Sequence, residues 1–286
     1  MKKRILFAEN IGFCFGVRNA VAMAEKILKA HGVLYSKGDI VHNPCVMRAL
    51  AEKGLRTVER LPGIGKGPFL IRSHGLPPRI VRQIEKRGVK VYNATCPSVK
   101  KVQNLVKSLD GDGYSVIIIG DAVHPEVQAL RDCGENVTVC APGTIPRLRA
   151  REESIAVVGQ TTLSFEEYAT SIRHILSAPA ACRVLKIFNT ICKVTEQRQA
   201  ASRTLSKRVD AVLVPGGKKS ANTTKLFQVC RTENPATFRV ESVEELKTIS
   251  WSGVNTIGIT SGTSTSEEFI RSVVAFLKNK GYGEVL

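Results

Sequence analysis

NATCPSVKKVQNLVKSLDGDGYSVIIIGDAVHPEV, Asn93 to Val127, sets a short polar loop with one cysteine ahead of a helical run, a turn and an apolar strand. Val99, Val102, Val106 and Leu109 recur at three- and four-residue spacing, which predicts one buried helix face. DGDG breaks that pattern, and SVIIIG reads as a fully buried strand. The strand runs directly into a polar loop that holds His124 and Glu126. A helix feeding a buried strand is the start of an α/β architecture, so recurrence of the layout decides the fold.

The layout recurs twice. GFCFGVRNAVAMAEKILKA (Gly12 to Ala30) and NTICKVTEQRQAASRTLSKRV (Asn189 to Val209) carry Cys14 and Cys192 and lead to the strands GVLYSKG and DAVLVPGG. In the first copy Val17, Val21, Ala24 and Leu28 mark the buried face. His42, His124 and Ser220 each follow their cysteine by 28 residues. A second strand and polar loop then appear in each copy: FLIRSHGLPP with His74, IAVVGQTTLS with Gln160, Thr161 and Thr162, and TIGITSGTSTSEE with Ser264. A helix and a strand close the first two copies, and the N-terminal KRILFAE can supply the strand the last one lacks. The expectation is an α/β fold of three similar small units, 1–95, 96–191 and 192–286, with mostly parallel sheets. In such sheets ligands bind outside the carboxyl ends of the strands. A pseudo-threefold ring would turn three cysteines and six polar loops towards one cavity.

Three convergent cysteines leave several chemistries open. Structural zinc wants four ligands and local CxxC or HxxxH pairs, and the chain has no CxxC. A cysteine nucleophile leaves two copies unexplained. Three thiolates suit an iron–sulfur cluster, which normally takes four cysteines, so one iron would stay open to a substrate oxygen. The helix start after each cysteine favours anionic sulfur. Of the other cysteines, Cys133 and Cys230 fall in helical patterns and Cys140 and Cys182 flank strands. Cys45, in HNPC, reads as a buried helix start, with a fourth ligand as the alternative.

The polar loops offer His42, His74, His124, Ser220, Asn222 and Ser264 around a polyanion, with helix-start N–H groups to assist. His31 and His174 lie on helix ends and read as surface. Glu126, two residues after His124 in these loops, suits a proton carrier if burial tunes it. GGKKS and GIGKG lack the spacing or the context of a P-loop.

Bulk properties narrow the class. The 286 residues, 43% hydrophobic and 23% charged, form a chain long enough for a substantial core. Apolar runs are too short for a membrane span, and the basic start MKKR lacks a signal-peptide apolar region, so a cytoplasmic protein with reduced cysteines is expected. The net charge of +17 comes without an aromatic stripe or a nucleic-acid signature, so no nucleic-acid role is expected.

GFCFGV, VHN, SHG, ATCP, HPEV, QTTLS, the IC before TxxRQ, and the KxSxN loop occur in order from Gly12 to Ser264. Together they resemble the IspH/LytB family of 4-hydroxy-3-methylbut-2-enyl diphosphate reductases. The resemblance implies three α/β units in a pseudo-threefold arrangement around a central [4Fe–4S] cluster, held by Cys14, Cys96 and Cys192 with one iron open. It implies reductive removal of an allylic hydroxyl, with two electrons and two protons, to give isopentenyl and dimethylallyl diphosphates in the methylerythritol phosphate route. His42, His74, Ser220, Ala221, Asn222 and Ser264 would bind the diphosphate. His124 would assist there or in proton delivery, Glu126 would be the proton source, and Thr161 would help place the hydroxyl end. A ferredoxin or flavodoxin would donate the electrons, attracted to the basic surface. The chain departs from the family pattern at Ala221, where a second serine is usual, and at Asn93, Asp121 and Ser266. A diverged paralogue acting on another phosphorylated substrate, and a basic cluster-containing nucleic-acid binder or redox sensor, are the other readings.

Overall fold

Each paired strand among the described residues runs parallel to its neighbour. The structure, a computed structural model, describes residues 3–144, 154–177 and 182–284. The chain opens with β1 (Arg4–Phe7), α1 (Phe15–His31), β2 (Leu34–Lys37), α2 (Pro44–Glu52), β3 (Leu55–Val58), β4 (Phe69–Ile71), α3 (Pro78–Glu85) and β5 (Val91–Asn93). It continues through α4 (Pro97–Gly111), β6 (Ser115–Ile119), α5 (Pro125–Arg131), β7 (Val137–Cys140), β8 (Ser154–Gly159), α6 (Phe165–Ser177) and β9 (Val184–Ile187). The last stretch holds α7 (Lys193–Ser206), β10 (Ala211–Pro215), α8 (Ala221–Glu233), β11 (Thr237–Val240), β12 (Thr256–Ile259), α9 (Glu267–Asn279) and β13 (Gly283–Glu284).

Three sheets share one topology: β3-β2-β4-β5, β7-β6-β8-β9, and β11-β10-β12-β1, the last extended by β13. In each, the chain moves outward to one edge, crosses back, and builds the other half. The switch point therefore lies between the two central strands, where open α/β sheets bind ligands. The fourth strand, β5, β9 or β1, precedes the cysteine in every case.

The chain divides into two compact units. One, Met1–Arg18, Val41–Arg48 and Lys193–Leu286, contains the sheet built on β10 and β12. The N-terminal strand completes it, pairing Arg4 with Thr256 through Phe7 with Ile259, as the missing strand of the last copy requires. Ile5, Leu213, Ile257, Ile259, Val273 and Leu277 form its core.

The other unit, Asn19–Ile40 and Ala49–Cys192, contains the remaining two sheets. In α4 the four residues singled out by their spacing are the buried ones, and Val102, Val106 and Leu109 pack on Val116, Ile118, Ala156 and Val158. β6 is buried along its whole length, as expected of a strand covered on both faces. Leu163, just before α6, and Tyr168 and Ile175 on it cover the opposite face.

Some expectations need correction. The edge strands β3 and β11 have no place in the sequence reading, because LRTV and TFRV are short and charged, as edges are. Cys45 does begin a helix but is exposed, since α2 turns its apolar side, with Leu50, inward elsewhere. Cys133 lies just beyond α5, whose last residue is Arg131. His174 is half-buried in the last turn of α6.

Candidate active site

Within the unit that holds β2 to β9, the loops at the strand ends are tied to one another by hydrogen bonds. Cys96 is the N-cap residue of α4, and its thiol makes no capping bond. The Cys96 N–H donates to the Ser73 carbonyl at 2.9 Å, and the Cys192 N–H donates to the Thr161 carbonyl at 2.9 Å. Each cysteine is thus pinned to the polar loop after the third strand of its sheet. Ser98 Oγ stands 3.9 Å from Cys192 Sγ, so the chain just after Cys96 meets the second cysteine. Nothing in the residue order around Ser98 marks it for this contact.

Beside these lie the acid and two imidazoles. Glu126 is 1% exposed in the first turn of α5. Its carboxylate accepts the Thr161 N–H at 2.7 Å and the Thr161 hydroxyl at 2.9 Å. Burial raises its pKa to about 7 and outweighs those two bonds, which act to lower it. His124 caps α5, accepting the Glu126 N–H on Nδ1 at 3.2 Å. Nδ1 therefore carries no proton, which leaves Nε2–H as the outward donor. The rings of His74 and His124 meet edge to face, with centroids 5.3 Å apart. Asp121 accepts the Val123 N–H in an Asx turn that leads into His124, which accounts for an acid at that departure. Gln160 fixes the same loop, accepting the Asp121 N–H and donating to Thr162 Oγ1.

The other unit carries Cys14, His42, Ser220, Ala221, Asn222 and Ser264. The Cys14 N–H donates to the Thr263 carbonyl at 3.1 Å, the same bond in a third copy. Ser220 caps α8 by accepting the Thr223 N–H. Asn222 is buried with its Nδ2 unpaired among the described residues, as is the hydroxyl of Thr223 beside it. Ala221 is the first helical residue of α8, where N–H groups have no partner inside the helix. The Ser264 hydroxyl donates to the His42 carbonyl at 3.3 Å, and Asn43 Nδ2 donates to the Ser264 carbonyl at 2.8 Å. Asn43 is a support that the sequence reading did not single out. Its place before Pro44 is a helix-start signature, and it accepts the Val46 N–H as such. Ser266 likewise caps α9, which explains that departure.

Gly217 passes so close to the His42 carbonyl that a Cβ would fall inside van der Waals contact. Gly217→Ala is expected to displace the His42–Ser264 pair, costing about 1–3 kcal/mol in a denaturant titration. Michaelis constants should rise more than turnover falls; unchanged constants with lowered stability would reject a link to binding.

The eight cysteines form no disulfide. The donor chemistry suits a soft iron–sulfur centre: three thiols at equivalent helix starts, each with its backbone N–H held by a polar loop and none tied up in a disulfide. Among the described residues no helix is long and apolar enough to cross a membrane.

Three parallel α/β sheets of one topology, each ending in a cysteine, with a buried acid at one switch point, define a three-cysteine α/β class. Residues 5–278 match the LytB protein family. The chain belongs to that family. It is 38% identical over 271 residues to the 4-hydroxy-3-methylbut-2-enyl diphosphate reductase of Geobacter sulfurreducens, covering 94% of this chain and 95% of that one. The reductase of the same description from Caldanaerobacter subterraneus subsp. tengcongensis is 39% identical, covering 98% and 99%. A solved (E)-4-hydroxy-3-methyl-but-2-enyl diphosphate reductase, described as the terminal enzyme of the non-mevalonate pathway, superposes with a TM-score of 0.70 at 34% identity, covering 97% of this chain and 99% of that one. The E-1-hydroxy-2-methyl-but-2-enyl-4-diphosphate reductase from Plasmodium falciparum gives 0.90 at 25% identity, covering 99% and 92%.

Proposed function

We propose that this chain is an oxidoreductase that removes the allylic hydroxyl of 4-hydroxy-3-methylbut-2-enyl diphosphate, the final step of the non-mevalonate route to isoprenoids. Two electrons and two protons are consumed. The hydroxyl leaves as water, and the allylic carbons take the second proton to give isopentenyl or dimethylallyl diphosphate. The observation that carries this reading is Glu126, buried, bonded through both oxygens to Thr161, with its pKa brought to about 7. A carboxyl poised there can give up a proton near neutrality.

Cys14, Cys96 and Cys192 would hold a [4Fe–4S] cluster, one from each of the units 1–95, 96–191 and 192–286. When bound, such a cluster supplies single electrons and a Lewis-acidic iron not held by cysteine. Glu126 delivers the proton to the departing hydroxyl. The Thr161 hydroxyl donates to Glu126 and keeps its lone pairs for the substrate's hydroxyl. His42, His74, Ser220, Asn222 and Ser264 bind the diphosphate, and the Nε2–H of His124 assists there. Ala221 contributes a helix-start N–H where a serine hydroxyl is usual in the family. Electrons arrive from an acidic ferredoxin or flavodoxin, which a chain of net charge +17 attracts.

The deciding experiment is turnover of the allylic diphosphate by anaerobically prepared protein with a reduced artificial donor. A brown protein that releases both five-carbon diphosphates supports the reading. A colourless, inactive protein rejects it, and a brown protein idle on this substrate but active on another phosphorylated alcohol favours a diverged paralogue. Raising salt should slow turnover several-fold with ferredoxin as donor and leave the small artificial donor unaffected. Equal salt dependence would remove charge steering from the account.

A further inference from the structure

Six residues after the three cysteines stand Ala20, Val102 and Arg198. Ala20 and Val102 are buried, as the inner face of an amphipathic helix requires, and Arg198 is as buried as they are, at 3% exposure. A guanidinium at a core position is costly unless it is hydrogen-bonded. One Nη of Arg198 donates to the Ser261 carbonyl at 3.0 Å, and the other donates to the Gly12 carbonyl at 2.6 Å. The Gly12 N–H donates in turn to Ser261 Oγ at 2.7 Å. With the Cys14 N–H on Thr263, residues 12–14 lie bonded along 261–263, and the arginine fork spans both segments.

The other two cysteine loops are braced from within. Asn93 Oδ1 accepts the Thr95 N–H at 3.0 Å, and Asn189 Oδ1 accepts the Ile191 N–H at 3.1 Å. Each asparagine stands three residues before its cysteine, where the first copy has Ile11. An isoleucine cannot accept a hydrogen bond. Gly12 adopts φ +83, which glycine takes without steric cost, and the bonds that hold this loop come from outside it, from Arg198 and residues 261–263.

We propose that Arg198 is a positioning residue for Cys14. Its fork on the Gly12 and Ser261 carbonyls replaces the asparagine brace that precedes Cys96 and Cys192. The same fork orders the 261–264 loop, so the metal-ligand loop and the loop carrying Ser264 are set by one side chain. The inference rests on the reading of Cys14 as a cluster ligand. Lysine cannot substitute, because its point charge does not span two carbonyls in a fixed plane.

The test follows thiol alkylation residue by residue, by mass spectrometry of the full-length metal-free chain, alongside iron release to a chelator from the cluster-loaded chain. In Arg198→Met and Arg198→Lys, Cys14 should alkylate about tenfold faster than in wild type, the equivalent of one charge-assisted hydrogen bond, whereas Ser261→Ala, which keeps both carbonyls of the fork, should stay near the wild-type rate. Cys96 and Cys192 should keep their wild-type rates, and iron should leave both loaded arginine variants faster. Equal acceleration at all three cysteines would mean general loosening and would overturn the proposal. Wild-type behaviour of Arg198→Lys would overturn the fork in favour of charge alone. Should the arginine variants fail to fold, Ser261→Ala decides the question: it removes the acceptor of the Gly12 N–H but leaves both carbonyls on the guanidinium, so Cys14 held near its wild-type rate supports the fork as the clamp and full exposure of Cys14 rejects it. A wild-type chain that takes up no iron overturns the ligand reading instead, and the labelling pattern, read without metal, separates the two failures.

Discussion

Glu126→Gln is expected to lower turnover about 10²- to 10⁴-fold, the usual worth of a positioned acid, while leaving the visible absorption of the cluster unchanged. Glutamine keeps an oxygen for the Thr161 N–H and similar volume, while its amide N–H donates to the Thr161 hydroxyl instead of accepting from it, so packing is preserved and the transferable proton is lost. Wild-type turnover should fall as pH rises past about 7, where the acid form disappears. A stability measurement supplies an independent check. The carboxyl rises from 4.5 to about 7 on folding, so between those values the folded chain holds a proton that the unfolded chain has released. Native stability must therefore decline as pH rises through that window and level off above it, by up to about 3 kcal/mol. Urea titrations should find Glu126→Gln more stable than wild type at pH 8 and no more stable at pH 4. Unchanged turnover would take Glu126 out of the proton path, and a stability difference independent of pH would contradict its buried titration.

Cys96→Ala should abolish both the iron–sulfur absorption and turnover, since a three-thiolate set has no spare member. The contrast with Cys133→Ala and Cys230→Ala is the informative part. Burial pushes both of those thiols up to about 11, so neither supplies a thiolate near neutral pH. Cys96, Cys14 and Cys192 instead stand at helix starts, each with its N–H bonded to a polar loop. Iron content per chain, measured after anaerobic reconstitution, should fall to background in Cys96→Ala and match wild type in the other two. Full iron content in Cys96→Ala would exclude it as a ligand.

Much of this was legible from residue order. The equal 28-residue spacing and the helix–strand alternation carried the three-fold repetition, because parallel sheets leave long apolar strands such as SVIII that are hard to misread. The N-terminal strand was readable as the missing member of the last sheet by counting. What escaped was whatever depends on burial or on distant partners. LRTV and TFRV carry too little apolar signal to announce edge strands. Cys45 has the same local pattern whether its helix face is buried or exposed. Arg198 sits in a TxxRQ segment that reads as a solvated helix face. Its partners at Gly12 and Ser261 are 186 and 63 residues away along the chain, so periodicity alone could not find them. The role of Thr161 as a bridge between Glu126 and the Cys192 loop likewise needs three dimensions, because it binds one through its N–H and hydroxyl and the other through its carbonyl.

The N-terminal strand has a consequence for synthesis. β1 lies between β12 and β13, with the Gly283 N–H donating to the Lys3 carbonyl at 3.0 Å. β1 is therefore made long before β12 and β13, and its place in the sheet stays open until both exist. Cys14 likewise gains its backbone hold only once Thr263 has been made. The sheets built on β2 and β6 can form before then, whereas the first cysteine loop has to wait. A ribosome stalled before residue 256 would leave Cys14 without that hold.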